Sequence, residues 1–157
     1  MQKITTFLWF DDQAEEAVKF YTSIFKNSRI KEVSTMNDAR PDVDAKVLVA
    51  TFELDGQEFM AMNGGPMFKF TPAISLSVNC ENQDEIDYYW DRLSEGGQKV
   101  ECGWITDKYG LSWQVIPSIL GKLMSDKDHS KSKRVMEALM KMKKLDIATL
   151  QKAYDGI

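Results

Sequence analysis

Few side chains in this 157-residue chain are equipped for covalent or acid–base chemistry, and their spacing narrows what they can do. The one histidine, His129, stands in the polar segment Ser125 to Ser132, apart from the strand and helix patterns, which argues against imidazole general-base catalysis. Serine or cysteine hydrolysis needs a nucleophile beside such a base, and no G-x-S-x-G turn is present. Cys80 and Cys102 lack metal-type spacing; a disulfide is open by count, and reduced structural thiols are the expected state. Glu58 and Glu101 flank strand-like runs and read as solvated carboxylates. The stretch DKYGLSWQVIP, residues 107 to 117, is more informative: a turn at Tyr109-Gly110 runs into a strand with Gln114 at its middle. An amide there can donate and accept hydrogen bonds to a neutral polar ligand, or it can be satisfied by neighbouring backbone. No catalytic residue and no cofactor is identified.

The elements that must position Gln114 occur twice. Ile4 to Phe10 is an apolar strand-like run followed by Asp12 and Glu15, a capping pair, and by the helical stripe Ala14, Ala17, Val18, Tyr21 and Phe25. Ile74 to Asn79 is a second such run, followed by Asn82 and Glu85 and the stripe Ile86, Tyr89, Trp90 and Leu93, which Gly96-Gly97 ends. Val47 to Leu54, the turn Asp55-Gly56 and Gln57 to Asn63 make a hairpin; Val100 to Thr106, the Tyr109-Gly110 turn and Leu111 to Pro117 make its counterpart. The first repeat is longer because of an additional strand, Arg29 to Met36, and the polar loop Asn37 to Asp42. The predicted organisation is an α+β fold: a βαβββ module at 1–63, a linker at 64–72, a second module at 73–117, and a helical tail at 118–157. In the tail, Val135, Met136, Leu139 and Met140 form one apolar stripe, and Asp146 caps a last helix carrying Ile147, Leu150 and Tyr154.

Strand parity assigns faces. If Ile74, Leu76 and Val78 pack on a helix, then Ala73, Ser75 and Ser77 face the other way, and the same parity puts Thr5, Phe7 and Trp9 on the corresponding face of the first strand. Phe7, Trp9, Met60, Met62, Trp104 and Gln114, with Ser75 and Ser77, would then line a small-molecule site, aromatic and apolar with few polar groups; the same side chains could instead fill a core. Residues 1–126 carry 12 Lys+Arg against 20 Asp+Glu, a net of −8, and residues 127–157 carry 8 against 4, a net of +4. The acidic body disfavours nucleic acid and would favour a cationic ligand, and the contrast permits docking of the tail on the body. No apolar run is long enough for a membrane span and no signal peptide is read, so a cytoplasmic protein is expected.

The stretches FLWFDDQAEEAVKFYTSIF (7–25), DGQEFMAMNGG (55–65), CGWITDKYGLSWQVIP (102–117) and RVMEALMKMKKLDIATLQKAY (134–154) resemble the PhnB-like family, often labelled 3-demethylubiquinone-9 3-methyltransferase-like. The tandem βαβββ units are similar to the vicinal oxygen chelate superfamily of glyoxalase I, extradiol dioxygenases and the fosfomycin and bleomycin resistance proteins. The resemblance implies modules that curl a mixed sheet into a cup with the ligand inside, and a homodimer. In metal-dependent relatives four inward positions hold the metal; by matching turns and strands they fall here on Thr5, Met60, Ala73 and Gln114, a set with neither carboxylate nor imidazole, so no metal is expected. Two readings of function follow. One is a metal-independent protein binding an aromatic or cationic small molecule. The other is an enzyme, either the methyltransferase of the label or a glyoxalase-like metal-dependent lyase or dioxygenase. Against the methyltransferase, Gly64-Gly65-Pro66 does not open a helix after a strand as a nucleotide-type glycine turn would.

Overall fold

The computed structural model describes residues 1–35 and 48–157. It divides into two compact units, Met1–Phe70 and Thr71–Ile157, the division falling within the segment read as a linker.

The first unit contains β1 (Thr6–Phe10), α1 (Ala14–Ile24), β2 (Arg29–Thr35), β3 (Leu48–Leu54) and β4 (Gln57–Asn63). They form a mixed four-stranded sheet in the order β1-β4-β3-β2, with β1 parallel to β4 and the other pairs antiparallel. One face is covered by α1. Along β3 every second residue, Leu48, Ala50, Phe52 and Leu54, is buried, and these join Leu8, Phe10, Phe59 and Ala61 against Ala14, Ala17, Val18, Tyr21 and Ile24 of the helix. Ile24 occupies the place expected of Phe25, which is the C-cap and only half-buried. Asp55 and Gly56 both have positive φ, 50° and 77°, as a two-residue type I′ hairpin turn requires. Edge strand β2 is exposed throughout and carries Arg29, Lys31 and Glu32, charges that discourage edge-to-edge pairing. Met36, the polar loop 37–42 and Val47 lie outside the described residues.

The start of α1 departs from the expected capping box. Its N-cap is Gln13, with no side-chain cap bond, and Asp12 takes no part. The amide of Ala14 instead donates to Oδ1 of Asn63 at 2.8 Å. Asn63 shares the parity of Phe59 and Ala61, so its carboxamide reaches the helix from the neighbouring strand end, a partner that local spacing does not disclose.

The second unit repeats the plan with β5 (Ser75–Cys80), α2 (Gln83–Leu93), β6 (Gln98–Lys99), β7 (Trp104–Thr106) and β8 (Ser112–Pro117), ordered β5-β8-β7-β6. Here the capping signal holds: Asn82 accepts from the amide of Glu85 at 2.9 Å, and the Glu85 carboxylate accepts from the amide of Glu81 at 2.8 Å. Ile86, Trp90 and Leu93 are buried, while Tyr89 is half-buried. Two expectations need correction. Ile74 precedes β5 and is 74% exposed, so the helix-facing set begins at Leu76. Of the strand read as Val100 to Thr106 only Trp104–Thr106 is strand, as β7; before it the chain bends, the amide of Val100 donating to Trp104 O at 2.9 Å and Cys102 and Gly103 adopting φ of 58° and 83°.

Three helices follow, α3 (Leu120–Met124), α4 (His129–Leu139) and α5 (Ile147–Asp155). Leu123, Val135, Leu145 and Leu150 form their buried centre, against which Ile116 of β8 also packs. Met136 and Met140, expected in the apolar stripe, are 41% and 67% exposed, because Val135 and Leu139 supply the packed side of α4. Asp146 caps α5 through the amide of Thr149 at 2.7 Å, as its position predicts. No helix among the described residues is long and apolar enough to cross a membrane.

Asn63→Ala should destabilise the protein by about 1 kcal/mol through the lost cap, and Asp12→Ala should stay within about 0.5 kcal/mol, both read from chemical denaturation midpoints. Equal effects of the two changes would contradict the cross-strand cap.

Candidate functional site

Once α1 takes one face of the first sheet, the register fixes what the opposite face presents. Phe7 pairs with Met60 and Trp9 with Met62 between β1 and β4, while Thr51 and Val49 lie beside Met60 and Met62 on β3. Phe7 is 49% exposed, and Trp9, Met60 and Met62 are half-buried. Thr5 lies one residue ahead of β1 and is half-buried.

Trp9 is held firmly. Its Nε1–H donates to Gly65 O at 2.9 Å, and the Phe68 ring meets it edge-on at 5.1 Å. Gly64 lies against the indole so closely that a Cβ there would fall 2.3 Å from Cε2 of Trp9. The Gly64-Gly65 pair therefore serves as a bed for an aromatic ring, and the chain continues from it as a turn and irregular segment rather than a helix.

Toward the other end of this face the chemistry changes. Lys31 Nζ lies 2.6 Å from the Glu58 carboxylate and 3.6 Å from that of Glu53, and Arg29 Nε lies 2.9 Å from Glu53. The hydrogen bond to Glu58 is the main cause holding the Lys31 ammonium above its ordinary pKa, and the bond to Arg29 holds Glu53 below the usual carboxylate range. Glu58 is thus engaged as an ion-pair partner.

In the second unit Ser75, Ser77 and Asn79 of β5 share a face with Ser112, Gln114 and Ile116 of β8 and with Trp104 and Thr106 of β7, since Ser77 and Trp104 both pair with Gln114. The Gln114 Nε2 donates to Ser75 Oγ at 2.9 Å. The amide is therefore bonded to a side chain on its own face, not to backbone, and its oxygen has no partner among the described residues. Ser77 is exposed, and Trp104 and Gln114 are half-buried. Ala73 lies in the turn before β5 and is exposed, so it is not a strand position.

Thr5, Met60, Ala73 and Gln114 supply a hydroxyl, a thioether, a methyl and an amide. Hard divalent cations select carboxylate oxygen, and transition metals add imidazole or thiolate, so this set does not fit such an ion. Among the described residues no group of three or more His, Cys, Asp or Glu converges to hold a metal. Glu101 is exposed with Lys143 at 3.8 Å, and His129 is an exposed first-turn residue of α4.

Sequence reasoning did not anticipate Asp107, one of the few buried polar side chains, 3% exposed. Its Oδ1 accepts from the amides of Tyr109 and Leu111 at 2.9 and 3.0 Å, and its Oδ2 accepts from the Trp113 indole at 2.8 Å. A carboxylate opening a turn and accepting from residues two and four positions on is a legible turn signal, but the indole six residues away is not. This network sets the turn that launches β8 and hence Gln114. Cys80 and Cys102 are free thiols. Burial, then the Glu85 carboxylate, pushes the Cys80 thiol up to about 11.

Against known proteins, residues 2–116 match the family described as 3-demethylubiquinone-9 3-methyltransferase. A PhnB protein from Bacillus cereus, described as a candidate 3-demethylubiquinone-9 3-methyltransferase, is 42% identical over 74% of this chain and 100% of its own, with a TM-score of 0.68. Protein PA1353 from Pseudomonas aeruginosa is 20% identical over 74% of this chain and 98% of its own, with a TM-score of 0.64. The fosfomycin resistance protein FosX from Listeria monocytogenes, complexed with Mn(II) and sulfate, is 17% identical over 72% and 90%, with a TM-score of 0.53. At these identities the last two show a shared fold. No curated protein matches the chain.

Gly64→Ala should displace the Trp9 indole, cost about 1–3 kcal/mol as an overpacking change, and alter the near-ultraviolet circular dichroism. An unchanged spectrum would contradict the glycine bed. For the thiols, the folded pKa of Cys80 lies above its unfolded value, so the protonated thiol's contribution is intact below about 8.5 and is lost as pH rises toward about 11. At pH 8 a thiol reagent should modify Cys102 in the folded protein and Cys80 only after denaturation, as mass spectrometry of digested adducts would read. Between pH 8 and 10.5 the wild type should lose more stability than Cys80→Ala.

Proposed function

The chain belongs to the 3-demethylubiquinone-9 3-methyltransferase family, within the vicinal oxygen chelate superfamily, and on that premise we propose that it is a metal-independent small-molecule-binding protein taking an aromatic or cationic ligand on its open sheet faces. One observation carries the reading. The face left free by each helix presents ring and thioether surface in the first unit and neutral hydrogen-bonding groups in the second, with Gln114, the position that the family resemblance matches to a metal ligand, bonded to Ser75. Phe7 and the braced Trp9 offer π faces for an aromatic ring or a cation. On the second sheet the Ser75–Gln114 pair retains a hydroxyl donor and an amide acceptor for one neutral polar group of a ligand bound there. Glu58, a carboxylate of the first unit on the same strand as Met60 and Met62, is paired with Lys31, so it serves neither as metal ligand nor as a free base in this reading.

The protein acts in this proposal as a cytoplasmic homodimer, without nucleic-acid or membrane partners, and its two free thiols suit a reducing compartment. A native mass spectrum of the purified protein, with thermal melts in Mn(II) and Zn(II), tests it. A metal-free dimer carrying an organic adduct, lost in Gln114→Ala, and melts that do not move with either ion are the expected results. A specific metal site at 100 times its dissociation constant would add about 2.7 kcal/mol. Stoichiometric metal with such a shift would overturn the binding-protein reading in favour of a metal-dependent lyase.

A further inference from the structure

The family match ends at residue 116, so α3–α5 lie beyond it, yet their connecting segment is built into the second module. Where the 101–103 bend joins β6 to β7, the amide of Cys102 donates to Met142 O at 2.9 Å and that of Gly103 to Lys143 O at 2.7 Å. The Cys102 thiol donates to Leu139 O at 3.7 Å. The bend is conformationally costly: Cys102 holds a φ of 58°, a left-handed conformation that a residue with a Cβ adopts against a penalty of about 1 kcal/mol. Gly103, with a φ of 83°, lies where a Cβ would be 2.9 Å from Val115 O and 3.2 Å from the Leu145 side chain.

The other side of the tail segment is anchored to α2. Gln83 grips it with both ends of its amide, Nε2 donating to Leu145 O at 3.1 Å and Oε1 accepting from the amide of Ile147 at 2.9 Å. Lys144 pairs with Asp87 at 2.9 Å, and Leu145 between these contacts is fully buried. The residue that leaves the bend is Trp104, whose amide donates to Glu101 O at 3.1 Å and whose register partner is Gln114.

We propose that residues 139–147 are a latch that sets the position of Trp104, so that the helices beyond the family match tune ligand recognition by the second module through that indole. The tail carbonyls hold the strained bend, the bend fixes the first residue of β7, and the Gln83 and Asp87 contacts fix the tail. Gln83 and Leu145 are positioning residues in this scheme and make no ligand contact. The consequence for recognition rests on the binding function proposed above; the control of Trp104 does not.

The test uses full-length protein labelled with 5-fluorotryptophan, its Trp104 fluorine resonance identified by Trp104→Phe, together with the rate at which a thiol reagent modifies Cys102. In Gln83→Ala the Trp104 resonance should shift or broaden, the Trp9 resonance should stay in place, and Cys102 should react about tenfold faster, with far-ultraviolet circular dichroism unchanged. Leu145→Ala, which removes a fully buried side chain of the same segment, should do the same more strongly. A Trp104 resonance unmoved in both variants overturns the latch, whether or not Cys102 reacts faster. The mass of any small molecule retained by wild type and by Gln83→Ala is read in parallel. If wild type retains none, the binding function fails while the fluorine spectra still decide the latch.

Discussion

Phe52 and Phe59 stack at 5.5 Å across β3 and β4, on the sheet face that α1 covers, and this burial is what the first module is organised around. A strand alternates its side chains with a period of two, so committing Leu48, Ala50, Phe52 and Leu54 to the helix leaves Val49, Thr51 and Glu53 no choice of face. The parallel pairing of β1 with β4 then carries that commitment to Phe7, Trp9, Met60 and Met62. A slip of one residue between β3 and β4 would break the phenylalanine stack and turn a core set outward, so the energetics of the core and the composition of the open face are one constraint. The same holds in the second module, where burial of Trp113, Val115 and Pro117 is what turns Gln114 and Ile116 to the opposite side.

How much of this was legible in the sequence follows from the range of the interactions involved. Period-two and helical stripes, the Asp55-Gly56 turn, and the caps at Asn82 and Asp146 are local, and they appear where residue spacing places them. The misread features depend on partners distant in sequence. Asp12 looks like a cap, but Asn63, 49 residues from Ala14, supplies the acceptor. Val100 to Thr106 reads as one apolar-rich strand because nothing local shows that Met142 and Lys143 will supply acceptors to a left-handed bend at Cys102. Met136 and Met140 fit a helical stripe numerically, but the packed face of α4 is chosen by Leu123, Leu145 and Leu150. Parity made the facing of Phe7, Trp9, Ser75, Ser77 and Gln114 readable, whereas Thr5 and Ala73 precede the strands to which the pattern assigned them.

The open faces also differ in how their polar groups are satisfied, which bears on what they can bind. On the first sheet Arg29, Lys31, Glu53 and Glu58 neutralise one another at solvent-accessible positions, where ion pairs contribute little to stability and are weakened by salt. Their effect is local: they withdraw two carboxylates from other roles and leave the ring-bearing end as the part of that face with uncommitted surface. On the second sheet the Gln114–Ser75 bond spends one donor and one acceptor and leaves the pair uncharged. An uncharged pair is cheaper to desolvate beside a ligand than a carboxylate would be, because the hydration energy an ion gives up is far larger than that of a hydroxyl or amide. An amide at this position therefore suits neutral groups better than ions.

Rigidity is distributed in step with this chemistry. Trp9 is fixed by a hydrogen bond, an edge-on ring and the absence of a side chain at Gly64. Gln114 follows a turn organised by Asp107, whose buried carboxylate is satisfied by two amides and an indole. Trp104 follows a bend whose amides are satisfied by the tail. In each case the side chain on the open face leaves the task of ordering to groups behind or beside it, so that the entropy of immobilising it is met in folding. Aromatic rings gain most from such an arrangement, since they carry large contact area on two rotatable bonds, and the sites where the backbone is strained or a glycine is required are the ones that hold them.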